Sequence, residues 1–204
     1  MEVAIASPAA KGRPREFCTE QALASALRVF WKRGYEGASM AELTAEMGIT
    51  KPSLYAAYGN KEALFKKALD LYEREKLAYV GEALEAPTAR GVAERLLRGA
   101  LAMQSSSCDP KGCLNVIGAV ACGVEAESIR EEVLKRRASS QAVLIARFER
   151  AQADGDLPDG IAPTALVSYL LAVMQGLSVQ ASANASRENL EAIVETALAT
   201  WPGR

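Results

Sequence analysis

The sequence predicts an all-α fold, and three observations carry that expectation. Apolar residues recur at helical spacing along almost all of its 204 residues, half of which are hydrophobic. No stretch alternates polar and apolar residues with the Val, Ile and Thr enrichment of a strand. Aromatics make up only 6% of the chain, so packing has to come from Ala and Leu, the side chains that helices accommodate best. The length is sufficient for a sizeable core.

Residues 1–16 read as a flexible arm ending in Lys11-Gly12-Arg13-Pro14-Arg15. A first helix is expected from Thr19 to Arg33, stopping at Gly34, with Leu23, Ala26, Leu27, Phe30 and Trp31 on one face. Ser39-Met40-Ala41-Glu42 fits a capping box, in which the serine and the glutamate satisfy orphan amides at a helix start. Met40, Leu43 and Met47 then share a face. Gly48 stands where a sharp turn needs a positive φ, and Thr50 can cap the next helix, with Pro52 tolerated in its first turn. Asn60 opens a long fourth helix to about Glu85, and Leu64, Phe65, Ala68, Leu69 and Tyr72 bind its first half to the preceding helices.

Pro87 marks a break. Further helices are expected at about 89–105, 112–123, 127–153, 163–183 and 187–201. The organisation predicted is therefore an arm (1–16), a small N-terminal domain (17–65) and a larger C-terminal domain (66–204). Charge divides the same way. Residues 1–67 hold ten Lys/Arg against seven Asp/Glu, and the remainder holds fourteen against eighteen. A basic module on an acidic body suits one that approaches nucleic acid while the rest stays clear of it.

Two short helices joined by a glycine turn, over residues 37–65, form the layout of a helix-turn-helix, whose second helix fits the major groove of B-DNA. Lys51, Ser53 and Thr50 are the candidates for base edges. Ser39, Tyr55 and Lys61 are the candidates for phosphates, and Pro52 and Tyr58 complete the set assigned to the reader. Arg13 and Arg15 are assigned to the backbone or a minor groove. The run from Gly34 to Phe65, and above all Tyr55-Ala56-Ala57-Tyr58-Gly59-Asn60-Lys61-Glu62-Ala63-Leu64-Phe65, closely resembles the TetR family of bacterial transcriptional repressors. One departure is Ala57, where the family often carries a His or Tyr that touches the DNA backbone.

The resemblance implies a homodimer built on the last two helices, bound to a palindromic operator of double-stranded DNA. The assigned interface residues are Leu166, Val173, Gly176, Leu177 and Gln180 on one helix, with Leu190, Ile193, Val194, Ala197, Leu198 and Trp201 on the other. It also implies a cavity for a small effector whose binding moves the fourth helix. Met103, Cys108, Leu114, Ile117, Phe148, Tyr169, Met174 and Gln175 are the candidate lining, and their character predicts a mainly apolar ligand.

Other chemistry is poorly supported. The chain has no histidine, so no Ser-His or Cys-His pair exists, and no phosphate-cradling glycine loop appears. Cys108, Cys113 and Cys122 lack zinc spacing and read as structural thiols, with a thiol sensor as the rival. Cys18 reads as a packing residue. Asp154–Gly160 resembles part of a calcium loop but lacks its alternating ligands and closing glutamate, leaving a polar turn. No metal and no cofactor are expected. Met1–Ala10 does not read as a signal peptide, and the apolar run at Ala165–Val179 reads as short of a membrane span. A cytoplasmic protein is the expectation.

Overall fold

The computed structural model describes residues 15–106, 109–120, 123 and 126–203. Among them the chain forms ten helices and no strand: α1 (Arg15–Gly37), α2 (Met40–Met47), α3 (Lys51–Tyr58), α4 (Lys61–Lys76), α5 (Ala78–Leu84), α6 (Ala89–Ser105), α7 (Leu114–Val120), α8 (Glu127–Ala153), α9 (Pro163–Ser182) and α10 (Arg187–Ala199).

Two cores result. The first joins Ala26, Leu27, Phe30 and Trp31 of α1 to Leu43, Leu54, Leu64, Phe65 and Tyr72 of α2–α4. Its large rings meet edge to face, Phe30 on Phe65 at 4.9 Å and Trp31 on Tyr72 at 4.8 Å, the arrangement that aromatic quadrupoles favour. Leu114 of α7 and Ile129 and Val133 of α8 close the same core from the far side. The second core lies between α6, α8, α9 and α10, where Phe148 packs on Trp201 at 5.8 Å.

Helix ends differ from expectation in two places. Gly34 is in a left-handed conformation (φ 72) as predicted for a stop, yet helical structure resumes beyond it to Gly37. The long fourth helix breaks at Leu77 (φ −106, ψ 11), whose amide donates to Tyr72 O. No Gly or Pro marks this break, so tertiary contacts impose it. Lys76 pairs with Asp109 at 2.7 Å. One turn later the Tyr79 ring lies against Gly99, where an added Cβ would sit 2.2 Å from it.

Lys111 and Gly112 tie the two cores together. Gly112 O accepts from both Trp31 Nε1 and Gln104 Nε2, each at 3.2 Å, and Gly112 N donates to Gln104 Oε1 at 2.7 Å. Lys111 Nζ donates to Gln104 O. Across the opposite side of α4, the Arg136 guanidinium of α8 holds Asp70 at 2.7 Å and Glu73 at 2.9 Å, together with Glu132 of its own helix.

Two polar side chains finish helices remote in sequence. Buried Arg147 donates to Leu84 O and Ala86 O, capping the end of α5. Asp156, in the polar turn after α8, accepts from Ala89 N at the start of α6. Among the described residues no cluster of His, Cys, Asp or Glu could hold a metal. By length and composition α9 does reach what a membrane-crossing helix needs (20 residues, mean hydropathy 1.3), contrary to the sequence expectation. The reason is that α9 is apolar on both of its faces. Leu166, Val167, Leu170 and Leu177 enter the second core, while Tyr169 and Val179 remain exposed.

Candidate nucleic-acid interface

Local hydrogen bonds build the helix-turn-helix. Ser39 Oγ accepts from Glu42 N at 3.1 Å and starts α2. Gly48 ends it in the left-handed region (φ 65), donating to Ala45 O and followed by Ile49 N donating to Thr44 O. Thr50 Oγ1 accepts from Ser53 N at 3.3 Å and lies 2.9 Å from Ser53 Oγ, starting α3 with Pro52 in its first turn. Asn60 Oδ1 accepts from Ala63 N at 2.7 Å and starts α4.

The inward face of α3 is Leu54 and Tyr58, 0% and 6% exposed. That assignment removes Tyr58 from the DNA contacts. Its ring fills the core and its hydroxyl donates to Thr19 O at 2.7 Å, fastening the end of α3 to α1. Lys51, Pro52, Ser53, Tyr55, Ala56 and Ala57 are exposed, as is Ser39 at the start of α2. Lys61, at the first turn of α4, stands 4.6 Å over the Tyr35 ring. Burial lowers its pKa and the nearby Glu36 carboxylate opposes that shift. The ring contact holds the ammonium in place without consuming its charge. The starts of α2 and α4 both present partly unbonded amides with the positive end of a helix dipole, the arrangement that binds phosphate. Arg13 lies outside the described residues. Arg15 begins α1, but its side chain is not among those described.

The described residues assigned to an effector pocket fall into separate groups rather than one. Leu114 is fully buried in the first core, with half-buried Met103 and Ile117 against it. Phe148 is fully buried in the second core, and Met174 packs on that core. Gln175 is half-buried on α9, and Cys108 lies outside the described residues. Tyr169 is 43% exposed and lines an outer groove instead, so it is corrected from pocket to surface. Cys113 is half-buried and accepts from Tyr72 Oη at 3.3 Å. Burial, then the neighbouring thiol, raises the Tyr72 phenol well above its usual range. Cys122 and the side chain of Cys18 also lie outside the described residues.

The interface residues assigned to the last two helices divide by face. Leu166, Leu177, Leu190, Val194, Leu198 and Trp201 are at most 5% exposed and belong to the chain's own core, which corrects their assignment. Val173 and Ile193 are half-buried, and Gly176 and Gln180 are exposed. An apolar groove of about 330 Å³ runs between α9 and α10, lined by Tyr169, Val173, Ala192, Ile193, Thr196 and Ala197. Sequence reasoning missed Ala192 and Thr196 because neither is strongly apolar; their one-turn spacing was the available signal. A second cavity of about 610 Å³ lies between α5 and α6. Tyr79, Ala83, Ala86 and Pro87 give it apolar walls, and Glu82, Glu94, Arg95 and Arg98 add charges of both signs. It had no sequence signal, since its lining comes from α5, the turn at Pro87 and α6, and the sequence expectation ran α5 into α4.

Two family models match the chain. One, described as "Bacterial regulatory proteins, tetR family", matches residues 22–68. The other, "Tetracyclin repressor-like, C-terminal domain", matches residues 93–197. The HTH-type transcriptional repressor ComR of Escherichia coli K12 is 33% identical over 94% of this chain and 92% of its own length. BdcR, a repressor from the same strain, is 31% identical over 88% and 86%. Among solved structures, a cysteine mutant of the TetR family regulator CifR in complex with 26-bp operator DNA is 43% identical. Its TM-score is 0.86 over 93% of this chain and all of that one. A TetR regulator from Rhodococcus sp. RHA1 is 38% identical at a TM-score of 0.62, covering 90% and 98%.

Proposed function

The chain belongs to the TetR family of DNA-binding transcriptional repressors, and on that footing we propose how it binds and leaves its operator. A cytoplasmic homodimer grips a palindromic operator through residues 37–61 of each copy and releases it when a small, mainly apolar effector binds. The observation that carries the reading is the exposed face of α3 together with the capped starts of α2 and α4. Lys51 and the Thr50–Ser53 hydroxyl pair reach base edges, while Ser39, Tyr55 and Lys61 hold phosphates. CifR, at 43% identity, is a relative whose structure was solved with operator DNA. The groove between α9 and α10 is the face offered to a second copy, which sets two readers at a fixed separation.

Effector release is supported by the bonds that connect α1 and α4 to the C-terminal helices: Trp31 to Gly112, Lys76 to Asp109, and Arg136 to Asp70 and Glu73. A ligand in the α5–α6 cavity would act next to the Leu77 joint and shift α4. The Tyr72–Cys113 contact favours a second reading, in which a thiol in this region replaces the ligand as trigger. Titration of a promoter fragment from the chain's own locus tests operator binding directly. Absence of any sequence preference at moderate salt would overturn it. Peroxide followed by reductant separates the two triggers, since only a thiol switch would lose and then regain binding.

A further inference from the structure

The chemistry of α3 limits which base edges it can read. At about 3.6 residues per turn, the buried pair Leu54 and Tyr58 fixes the inward face, and the positions opposite are Pro52 and Ala56. Both are exposed, and both are apolar. The centre of the reading face is therefore a small, smooth hydrocarbon surface, with Ser53 and Tyr55 on its flanks. Lys51 stands in line with Leu54 on the helix, but it is exposed at the first helical position and its flexible four-carbon stem lets the ammonium swing past the helix start toward the groove. From Lys51 to Tyr58 the helix carries no carboxylate, carboxamide or guanidinium. The Thr50 and Ser53 hydroxyls are 2.9 Å apart, with one donating to the other, so the pair keeps a single free O–H. Bidentate reading of adenine needs Asn or Gln, and reading of the cytosine amino group needs Asp or Glu. This helix has neither.

Resting on the operator-binding reading above, we propose that α3 recognises thymine methyl groups at Pro52 and Ala56 and a guanine at Lys51. Small side chains allow the helix axis to approach the groove floor closely, where a methyl on each side can be desolvated. The lysine, a donor without an acceptor, pairs with the O6 and N7 acceptors of guanine. The half-site this chemistry selects contains a guanine within a few base pairs of adjacent thymines, and adenine and cytosine amino groups contribute little.

Selection of binding sites from random duplex DNA with the full chain comes first. Absence of any enriched sequence would overturn operator binding itself and the proposal with it. With an enriched site in hand, single thymines are replaced by uracil, which removes only the methyl. One or two positions per half-site should each weaken binding about fourfold, the equivalent of one buried carbon. Replacing the guanine by 7-deazaguanine should weaken binding about tenfold in the parent and leave Lys51→Met unaffected. Enrichment of a site in which uracil has no effect, while replacing an adenine by unsubstituted purine weakens binding, would overturn the proposal and leave operator binding intact.

Discussion

The indole nitrogen of Trp31 donates to the carbonyl of Gly112 across 3.2 Å, and the same carbonyl accepts from Gln104. One backbone oxygen thus joins α1, which carries the DNA-reading core, to α6 and to the loop in front of α7. Gly112 also abuts α9, since an added Cβ would meet Ser182 Oγ at 2.4 Å. Three elements that bear on reader position converge on this residue.

Removing either donor should cost different amounts. Trp31→Phe deletes one of two donors to Gly112 O and should lower stability by about 1 kcal/mol. Gln104→Leu also strips the acceptor from the buried Gly112 amide, and a loss of about 2–3 kcal/mol is expected. Urea unfolding followed by circular dichroism measures both. Equal losses would mean that the Gln104 bonds to Gly112 contribute no more than the Trp31 bond.

Gly112 has φ 93, so Gly112→Ala faces both backbone strain and the Ser182 hydroxyl. The hydroxyl lies at the end of a rotatable side chain, so Ser182→Ala should relieve only the steric part. The double variant is expected to stay about 1–2 kcal/mol less stable than Ser182→Ala alone, the residue of left-handed strain. Full recovery would show that the clash alone disfavours a side chain there.

Arg136 pairs with three carboxylates; burial works to lower its pKa, but Glu132, Asp70 and Glu73 hold it above the usual guanidinium range. Arg136→Gln leaves those carboxylates facing one another across α4 and α8. Stability should fall by roughly 1–3 kcal/mol at low salt, a range reduced for the partial exposure of the group. Salt should restore part of that loss, because screening weakens the remaining repulsion. A loss independent of salt between 20 mM and 0.5 M, ionic strengths of roughly 20 and 4 Å Debye length, would assign the effect to packing.

Tyr72 and Tyr79 both have raised phenol pKa values, chiefly through burial. The folded chain therefore keeps protons that the unfolded chain releases from about pH 10 upward. Their contribution is fully present below that pH and is lost as pH rises toward the native values. Stability should decline steeply above about pH 10, and Tyr72→Phe should flatten the slope. A parent curve flat to pH 11 by calorimetry would contradict these shifts.

The two faces of the last helices give opposite outcomes for the same substitution. Nothing lies within 4 Å of a Cβ added at Gly176, so Gly176→Glu should fold and, if the α9–α10 groove is the dimer interface, sediment as a monomer. Val194 is fully buried, and Val194→Glu should unfold the C-terminal helices by placing a charge among aliphatic side chains. A folded dimer of Gly176→Glu would move the interface elsewhere.

Helix starts were the part of the fold most legible in sequence. Ser39, Thr50 and Asn60 have the residue type and spacing of caps, and each accepts the amide such a residue should. Caps are local, so a few residues specify them. The break at Leu77 was not legible, because its surroundings include Asp109, from the connection before α7, and Gly99 of α6. The facing of α9 was also hidden, since a helix apolar on all sides gives no periodicity from which to orient it. At the reading surface the inward turn of Tyr58 follows from its spacing with Leu54, whereas its bond to Thr19 O required the fold.

The first core is sealed by Leu114, Ile129 and Val133, residues that leave the ribosome long after α1–α4. During synthesis the three-helix reader must wait, with one apolar side uncovered, until α8 has begun to emerge. Nascent chains whose emerged part ends just after α4 should accordingly be more protease-sensitive in α1–α4 than chains from which all of α8 has emerged. Exchanging α1–α4 alone between relatives would carry the same liability into the finished protein, because the graft would arrive without the side chains that close it.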